Sequence, residues 1–399
     1  MPRNILYISA NGFPASSSDG RGAFSFEHVL ALEGEGANVR AIDSGSDGFR
    51  HDEVGGVAIE RLPRVRKLVR KFDLAGLRQY ANRILDLRRG SHDTVIFSFF
   101  YMKYLPLLLL LRRRDVIVLF IAHGGDVMPG GLLRRAIKRW MFDLADLVTP
   151  VSDFTATLFS CLIGRKDRDN DKIVTIDNGV NWKKLVPSLP AGAIRERLGI
   201  PAEAFVVLSV CNLIPRKGID MLVEANLGLL AQGADLHHVI VGRGEQRDML
   251  ETRIADAGQS HRFHFVERVE SSELADFYGT ADLFAMISKT GWSDNRTEGF
   301  GVTYAEAMAM GTPVLGGSGC GATTPVKHGF NGLLVDPHAH NVVEQIATNV
   351  RRFMEDETLR ETMGANAKWF ATTFLDWSIN ARRTLSALDQ AAQRRKIAS

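Results

Sequence analysis

Glu298 and Glu306 bracket seven residues in the run TEGFGVTYAEAMAMG, with Gly299 and Gly301 between them. A glycine-rich turn that opens a helix leaves backbone N–H groups free and presents the positive end of the helix dipole. That arrangement suits a diphosphate. Glu298, just before the helix, can accept hydrogen bonds from sugar hydroxyls, and Glu306, about two turns in, suits ribose hydroxyls. Taken alone, two glutamates at this spacing are more simply a helix cap and a surface charge. A second stretch, VLSVCNLIPRKGIDMLVEA (207–225), sets Arg216 and Lys217 before Gly218, where another helical pattern begins. In the run AHGGDV (122–127), His123 and Asp126 follow a strand pattern. The loop SSSDGRGAFSFEHV (16–29) offers Gly20 and Gly22, which permit the close backbone approach an anion needs, and the charge of Arg21.

The elements that must position these residues alternate. ILYIS (5–9), VRAID (39–43), VAIERL (57–62), TVIFSF (94–99), VIVLFIA (116–122), LVTPVS (147–152) and KIVTIDNGV (172–180) read as strands with helical patterns between most of them. The theme restarts with FVVLSV (205–210), HHVIVG (237–242), FHFVERV (263–269), LFAMIS (283–288), PVLGGS (313–318) and GLLVD (332–336). Strands apolar throughout and spaced by helices predict parallel sheets covered on both faces. The expected fold is therefore α/β, with two Rossmann-like, doubly wound domains facing a central cleft. Ligands are expected at the carboxyl ends of the strands. The expected division is 1–182, a linker at 183–203 containing Pro187, Pro190 and Pro201, 204–375, and an amphipathic C-terminal helix in 376–399 packing back toward the N-terminal domain.

The 399 residues include 45% hydrophobic and 24% charged, which excludes global disorder. The apolar run Leu105–Leu111 falls far short of the roughly 20 residues of a membrane span. The N-terminal apolar stretch is too short for a signal peptide. Cys161, Cys211 and Cys320 are dispersed and odd in number, which fits a reducing cytoplasm and argues against a disulfide scaffold or zinc site. Residues 1–180 carry 26 Lys/Arg against 21 Asp/Glu, so the positive charge lies in the first half. It clusters at Arg61, Arg64, Arg66, Lys67, Arg70 and Lys71, at Arg112–Arg114, and at Arg134, Arg135, Lys138 and Arg139. Solvated helix faces explain any single cluster. Two of them stand beside apolar residues (Leu62, Val65, Leu68 and Val69; Leu132, Leu133, Ile137, Trp140 and Met141), a mixture that predicts salt-sensitive, peripheral contact with an anionic membrane.

Together these motifs resemble glycosyltransferase family 4, retaining enzymes of the GT-B fold with an E-x7-E signature. The resemblance spans nearly the whole chain and is specific from about Val207 to Pro337. It implies that Glu298 contacts the transferred sugar, that Glu306 holds the nucleotide ribose, and that Gly299, Phe300, Gly301 and Val302 supply backbone contacts. Lys217 and a nearby arginine would bind the diphosphate. Asn212 stands where the family carries that arginine, which leaves the two-cation clamp open, with Arg216 beside the lysine as the candidate substitute. His123 corresponds to the family histidine near the transferred sugar, with Asp126 beside it, and the Gly20–Arg21–Gly22 loop would close over the diphosphate. In FVERV, Glu267 takes a customary glycine position and the backbone at Val269 would lie near the base. Asn178–Gly179 reads as a turn.

The implied activity is metal-independent, retaining transfer of a hexosyl group from a nucleoside-diphosphate sugar to a glycan, lipid-linked or small-molecule hydroxyl. It suits cell-surface polysaccharide synthesis, with no cofactor and no nucleic acid. The donor is of UDP or GDP type; the same motifs serve both. Lys217, the helix N-terminus and loop amides would stabilise the leaving diphosphate. Two alternatives stay open: a nucleotide-sugar 2-epimerase of the same architecture, and a catalytically silent sugar-nucleotide-binding subunit, which the missing arginine at Asn212 keeps in view.

Overall fold

The structure is a computed structural model that describes residues 2–9, 11–14, 22–70, 73–113, 115–128, 130–164, 171–267, 269–270, 272–291 and 296–398. The chain forms two compact units, Met1–Gly179 with Trp377–Ser399, and Val180–Asp376.

The first unit runs β1 (Asn4–Ser9), α1 (Ala23–Gly34), β2 (Asn38–Ser46), β3 (Arg50–Val54), β4 (Val57–Pro63), α2 (Val65–Arg70), α3 (Leu74–Arg89), β5 (Thr94–Phe97), α4 (Leu105–Leu111), β6 (Ile117–Ala122), α5 (Leu132–Leu144), β7 (Leu147–Pro150) and α6 (Asp153–Ile163). Its sheet order is β3-β4-β2-β1-β5-β6-β7, parallel except for the β3–β4 hairpin. Every residue of β5 and β6 is buried, as strands covered on both faces require. Phe97 and Phe120 stack at 4.7 Å, and Phe100, Phe142 and Phe159 join the same core. β3 adds to the strands read from sequence, and 172–180 forms no strand among the described residues, only isolated bridges from Ile173 to Val148 and from Val180 to Asp376.

One residue in each of two basic clusters leaves the solvated face. Arg61 is buried, paired with Asp43 at 2.8 Å and with Asp52, and donates to the carbonyls of Phe13 and Pro14. Lys138 is buried too, donating to the Asp126 carbonyl at 2.5 Å. Burial pushes its ammonium down to about 8, against the pull of Asp126.

The second unit runs α7 (Ala193–Leu198), β8 (Phe205–Val210), α8 (Ile219–Ala231), β9 (Leu236–Val241), α9 (Arg247–Asp256), β10 (Phe263–Val266), α10 (Leu274–Thr280), β11 (Leu283–Met286), α11 (Val302–Ala309), β12 (Val314–Gly317), β13 (Gly332–Val335), α12 (Val342–Glu355) and α13 (Glu357–Phe374). All pairings in its sheet are parallel, in the order β10-β9-β8-β11-β12-β13. The stretch 183–203 lies within this unit. Ser188 and Leu189 donate their N–H groups to Asp276, and Arg195 on α7 pairs with Asp282 at 2.9 Å.

The last helix, α14 (Trp377–Ala398), belongs to the first unit. It lies along α1, with Asp389 against Arg3 at 2.7 Å, Arg382 against Glu35 at 2.8 Å, and Arg395 donating to the Val116 carbonyl.

Candidate active site

In the second unit β8 and β11 are neighbours, but their outgoing connections run in opposite directions along the sheet. Such a switch point, at the carboxyl ends of the strands, is where doubly wound sheets bind ligands. The loop after β8 is fixed by the loop after β9: Cys211 donates to Val241, Leu213 to Arg243, and Gln246 to Leu213, all backbone to backbone. It ends in the short 3₁₀ turn Pro215–Lys217 and at Gly218, whose φ is 66°. A side chain at Gly218 would be strained, and its Cβ would sit 2.3 Å from the Ile287 carbonyl. The loop after β11 closes on this turn, with Lys289 donating its N–H to the Arg216 carbonyl at 2.8 Å.

Farther along that loop, the Lys217 ammonium and the Arg216 Nη1, the latter at 3.2 Å, meet the same oxygen, Oε2, of Glu298. The three side chains are only 11%, 22% and 14% exposed. Burial alone would raise the Glu298 carboxyl. Lys217 first and Arg216 second outweigh it and hold the group below the usual carboxylate range. Arg216 and Lys217, adjacent in sequence, therefore point to one place.

Gly299 follows, then buried Phe300, then Gly301 at φ 87°, which caps α11 and leaves Val302 exposed on its first turn. Glu306 lies further along α11 and accepts from the buried Tyr278 hydroxyl at 2.7 Å. Burial raises the Glu306 carboxyl, and the Tyr278 hydrogen bond only partly offsets this. The two signature carboxylates thus titrate in opposite directions. Tyr278, on α10, belongs to no motif; the one clue in sequence is a tyrosine inside an apolar helical segment, whose hydroxyl needs a partner.

Asn212 is exposed and outside the Glu298 cluster. Val269 is half-buried after β10. Glu267 is exposed and paired with Arg247 at 2.6 Å.

In the first unit, Gly22 caps α1, whereas Gly20 and Arg21 lie outside the described residues. His123 follows β6, half-buried between the rings of Phe24 and Phe99, each 4.3 Å away between centroids. Its Nε2 lies 2.9 Å from the Ser98 carbonyl. A carbonyl only accepts, so Nε2 carries the proton and Nδ1 is the acceptor. Burial lowers the imidazole pKa against the opposing pull of Asp126, favouring the neutral ring. Asp126 is buried, and its two oxygens accept the backbone N–H groups of His123 and Phe100, both at 2.8 Å. Its carboxylate is engaged in holding the His123 loop to the loop after β5.

The second unit is thus a parallel, doubly wound α/β sheet that gathers two cations and a carboxylate at its switch point. Residues 191–369 match the family described as glycosyl transferases group 1, and residues 20–184 match glycosyltransferase family 4. The GDP-mannose-dependent alpha-(1-6)-phosphatidylinositol monomannoside mannosyltransferase of Mycolicibacterium smegmatis is 31% identical over 75% of this chain and 77% of its own length. A D-inositol 3-phosphate glycosyltransferase of Thermobispora bispora is 30% identical over 56% of this chain and 52% of its own. Sucrose-phosphate synthase from Thermosynechococcus elongatus superposes with a TM-score of 0.76 at 22% identity, over 98% of this chain and 100% of that one. Anabaena HepE, solved with UDP, gives 0.75 at 20% identity over 97% and 100%. The chain belongs to glycosyltransferase family 4. Its fold is GT-B, two Rossmann-like domains, and it is a hexosyltransferase that draws on a nucleotide sugar, which sets aside the epimerase and the silent subunit.

Proposed function

We propose that the enzyme transfers a mannosyl group, with retention and without a metal, from GDP-mannose to a hydroxyl of a lipid-linked acceptor at a membrane surface. The observation that carries the chemistry is the convergence of Lys217 and Arg216 at the switch point. A buried and a half-buried cation there can hold a diphosphate and neutralise the charge it gains on leaving. Glu298 then binds the transferred sugar, Glu306 the ribose, and the Gly299–Val302 backbone the sugar and phosphate. Neutral His123 offers an acceptor nitrogen to a sugar hydroxyl. The bond between the anomeric carbon and the diphosphate oxygen breaks, the acceptor oxygen bonds to the same face of that carbon, and the acceptor proton passes to the departing phosphate. The relatives named for GDP-mannose and phosphatidylinositol mannoside support this donor and acceptor class.

The membrane reading is supported by apolar side chains standing out beside cations on the first unit. Leu132 and Leu133 are 85% and 76% exposed at the start of α5, with Arg134 exposed next to them. Val65, Val69 and Leu74 are exposed on α2 and at the start of α3, among Arg66 and Arg70. Among the described residues, no helix is long and apolar enough to cross a membrane.

The test is incubation with GDP-mannose, UDP-glucose and ADP-glucose, with and without a phosphatidylinositol mannoside acceptor, following nucleoside diphosphate release. The expected result is acceptor-dependent GDP release that survives EDTA. The sequence carries Asp-x-Asp runs at Asp167–Asp169 and Asp169–Asp171, so the chelator arm is decisive for metal independence. Turnover with UDP-glucose alone overturns the donor, and abolition by EDTA overturns the metal-independent route.

A further inference from the structure

We propose that Glu298 is a built-in competitor for the donor diphosphate: the carboxylate and the diphosphate are alternative partners of Lys217 and Arg216, so donor binding moves Glu298 from the cations to the sugar, and its return after transfer expels the spent nucleoside diphosphate. The proposal rests on the reading of Lys217 as the diphosphate contact.

Both cations spend themselves on one oxygen of one carboxylate. The backbone that carries them is held in place. Lys217 sits on a turn closed by its own N–H to Ile214, followed by Gly218 packed against the Ile287 carbonyl, and the Arg216 carbonyl is tied to Lys289. The Glu298 carbonyl is tied too, accepting from the Gly321 N–H at 2.8 Å, so an exchange of partners is a side-chain movement in which the diphosphate takes the place of the carboxylate. A diphosphate seated on them would stand beside a half-buried carboxylate, and like charges at such distance cannot both stay ionised cheaply. Two outcomes relieve the conflict. With an intact donor, Glu298 turns to the hydroxyls of the transferred sugar. With the nucleoside diphosphate alone there is no sugar hydroxyl, so Glu298 holds a proton while the diphosphate occupies the cations, and on releasing it to solvent competes for them again as the carboxylate.

Among the described residues, Cys211 in the loop after β8, Cys320 after β12, and Tyr304 on α11 also bear on Glu298. Burial pushes Cys211 up to about 11 and Cys320 up to about 12, and raises Tyr304 well above its usual value, so all three are neutral near pH 7 and none supplies a positive charge. The site therefore distinguishes a nucleotide that carries sugar from one that has lost it, and opposes product inhibition.

The experiment is calorimetric titration of the full chain with GDP and with GDP-mannose at pH 7, in two buffers of different ionisation enthalpy. It is done for the wild type, Glu298→Gln and Lys217→Ala. The wild type is expected to take up protons on binding GDP and fewer on binding GDP-mannose. Glu298→Gln is expected to lose that uptake and bind GDP at least about tenfold more tightly, with no matching gain for GDP-mannose. Equal or weaker GDP binding by Glu298→Gln overturns the proposal. Absence of proton uptake in the wild type also does so, and needs no variant to fold. Lys217→Ala binding GDP as tightly as the wild type overturns the diphosphate reading itself, a different failure.

Discussion

Arg247 and Glu267 are ion-paired at 2.6 Å, and each stands where a glycine motif would place a glycine. Arg247 holds the third position of an incomplete Gly-x-Gly run after β9, and Glu267 the customary glycine after β10. Arg247 also pairs with Glu251 and lies over the Phe265 ring. Glu267 is 69% exposed, so the pair is screened. A double-mutant cycle with Arg247→Ala and Glu267→Ala in urea should give a coupling of about 0.2–1 kcal/mol. A larger coupling would mark this pair as a structural clasp.

Lys217→Ala should lower transfer at least about tenfold, since a charge-assisted contact to a diphosphate is worth roughly 1.5–3 kcal/mol. Arg216→Ala should fall in the same direction by a smaller factor, because its guanidinium is the more exposed partner of Glu298. Steady-state kinetics with varied donor would show it. A neutral Lys217→Ala beside a severe Arg216→Ala would reverse the two assignments.

The opposed carboxylates predict opposed pH dependences. The Glu306 carboxyl is raised by burial, so the folded protein holds its proton at a pH where the unfolded chain has released it. Its contribution to stability therefore falls as pH rises from the usual glutamate value through the raised one. Glu298 is lowered by its cations despite burial, so its contribution is complete above the usual value and is lost as pH falls through the lowered one. Denaturation curves across acidic pH should show Glu306→Gln flattening the first slope and Glu298→Gln the second. Tyr278→Phe should steepen the Glu306 slope, because it deletes the hydrogen bond that restrains the rise.

Asp126→Ala should destabilise the first unit by about 3 kcal/mol, leaving two backbone N–H groups without their charged acceptor. His123→Ala should cost turnover with a smaller loss of stability. Chemical denaturation paired with donor turnover separates a residue that holds the loop from one that meets substrate.

Leu132→Ser with Leu133→Ser should release the protein from anionic vesicles and leave stability within about 0.5 kcal/mol, since both side chains are already in solvent. Sedimentation with anionic and neutral liposomes at low and high salt is the measurement. Binding that is unchanged by the substitutions would remove α5 from the membrane contact.

The alternation of apolar strands and helices was legible because both sheets are covered on two faces, and runs such as VIVLFIA carry that burial in their composition. RHDEV carries no such mark. It forms β3 at a sheet edge, held by hairpin pairing with β4 rather than by apolar faces, and so was missed. KIVTIDNGV has the opposite fault: apolar enough for a strand, it exchanges backbone hydrogen bonds with Val148 and Pro150 of β7 but forms only an isolated bridge there. Arg61 and Lys138 looked like surface cations because a cation's burial is decided by distant partners, here Asp43 and the Asp126 carbonyl. Arg216, Lys217 and Glu298 were nominated by family resemblance. That all three share one oxygen is a property of the 3₁₀ turn and of loops separated by about 80 residues, and no local pattern encodes it.

The first unit is split in the chain, with α14 arriving only after all of 180–376. On the ribosome, the surface of α1 that binds α14 is made early and left uncovered while the intervening stretch is synthesised. At about 5–20 residues per second that delay is on the order of 10–40 s. Phe24 and His28, which rest on Trp377 in the finished protein, are exposed to chaperones and to misassociation for that interval. A chain stopped before Trp377 would have a complete second unit and a first unit lacking its last helix, so premature termination is expected to give aggregation through α1 rather than a soluble half-enzyme.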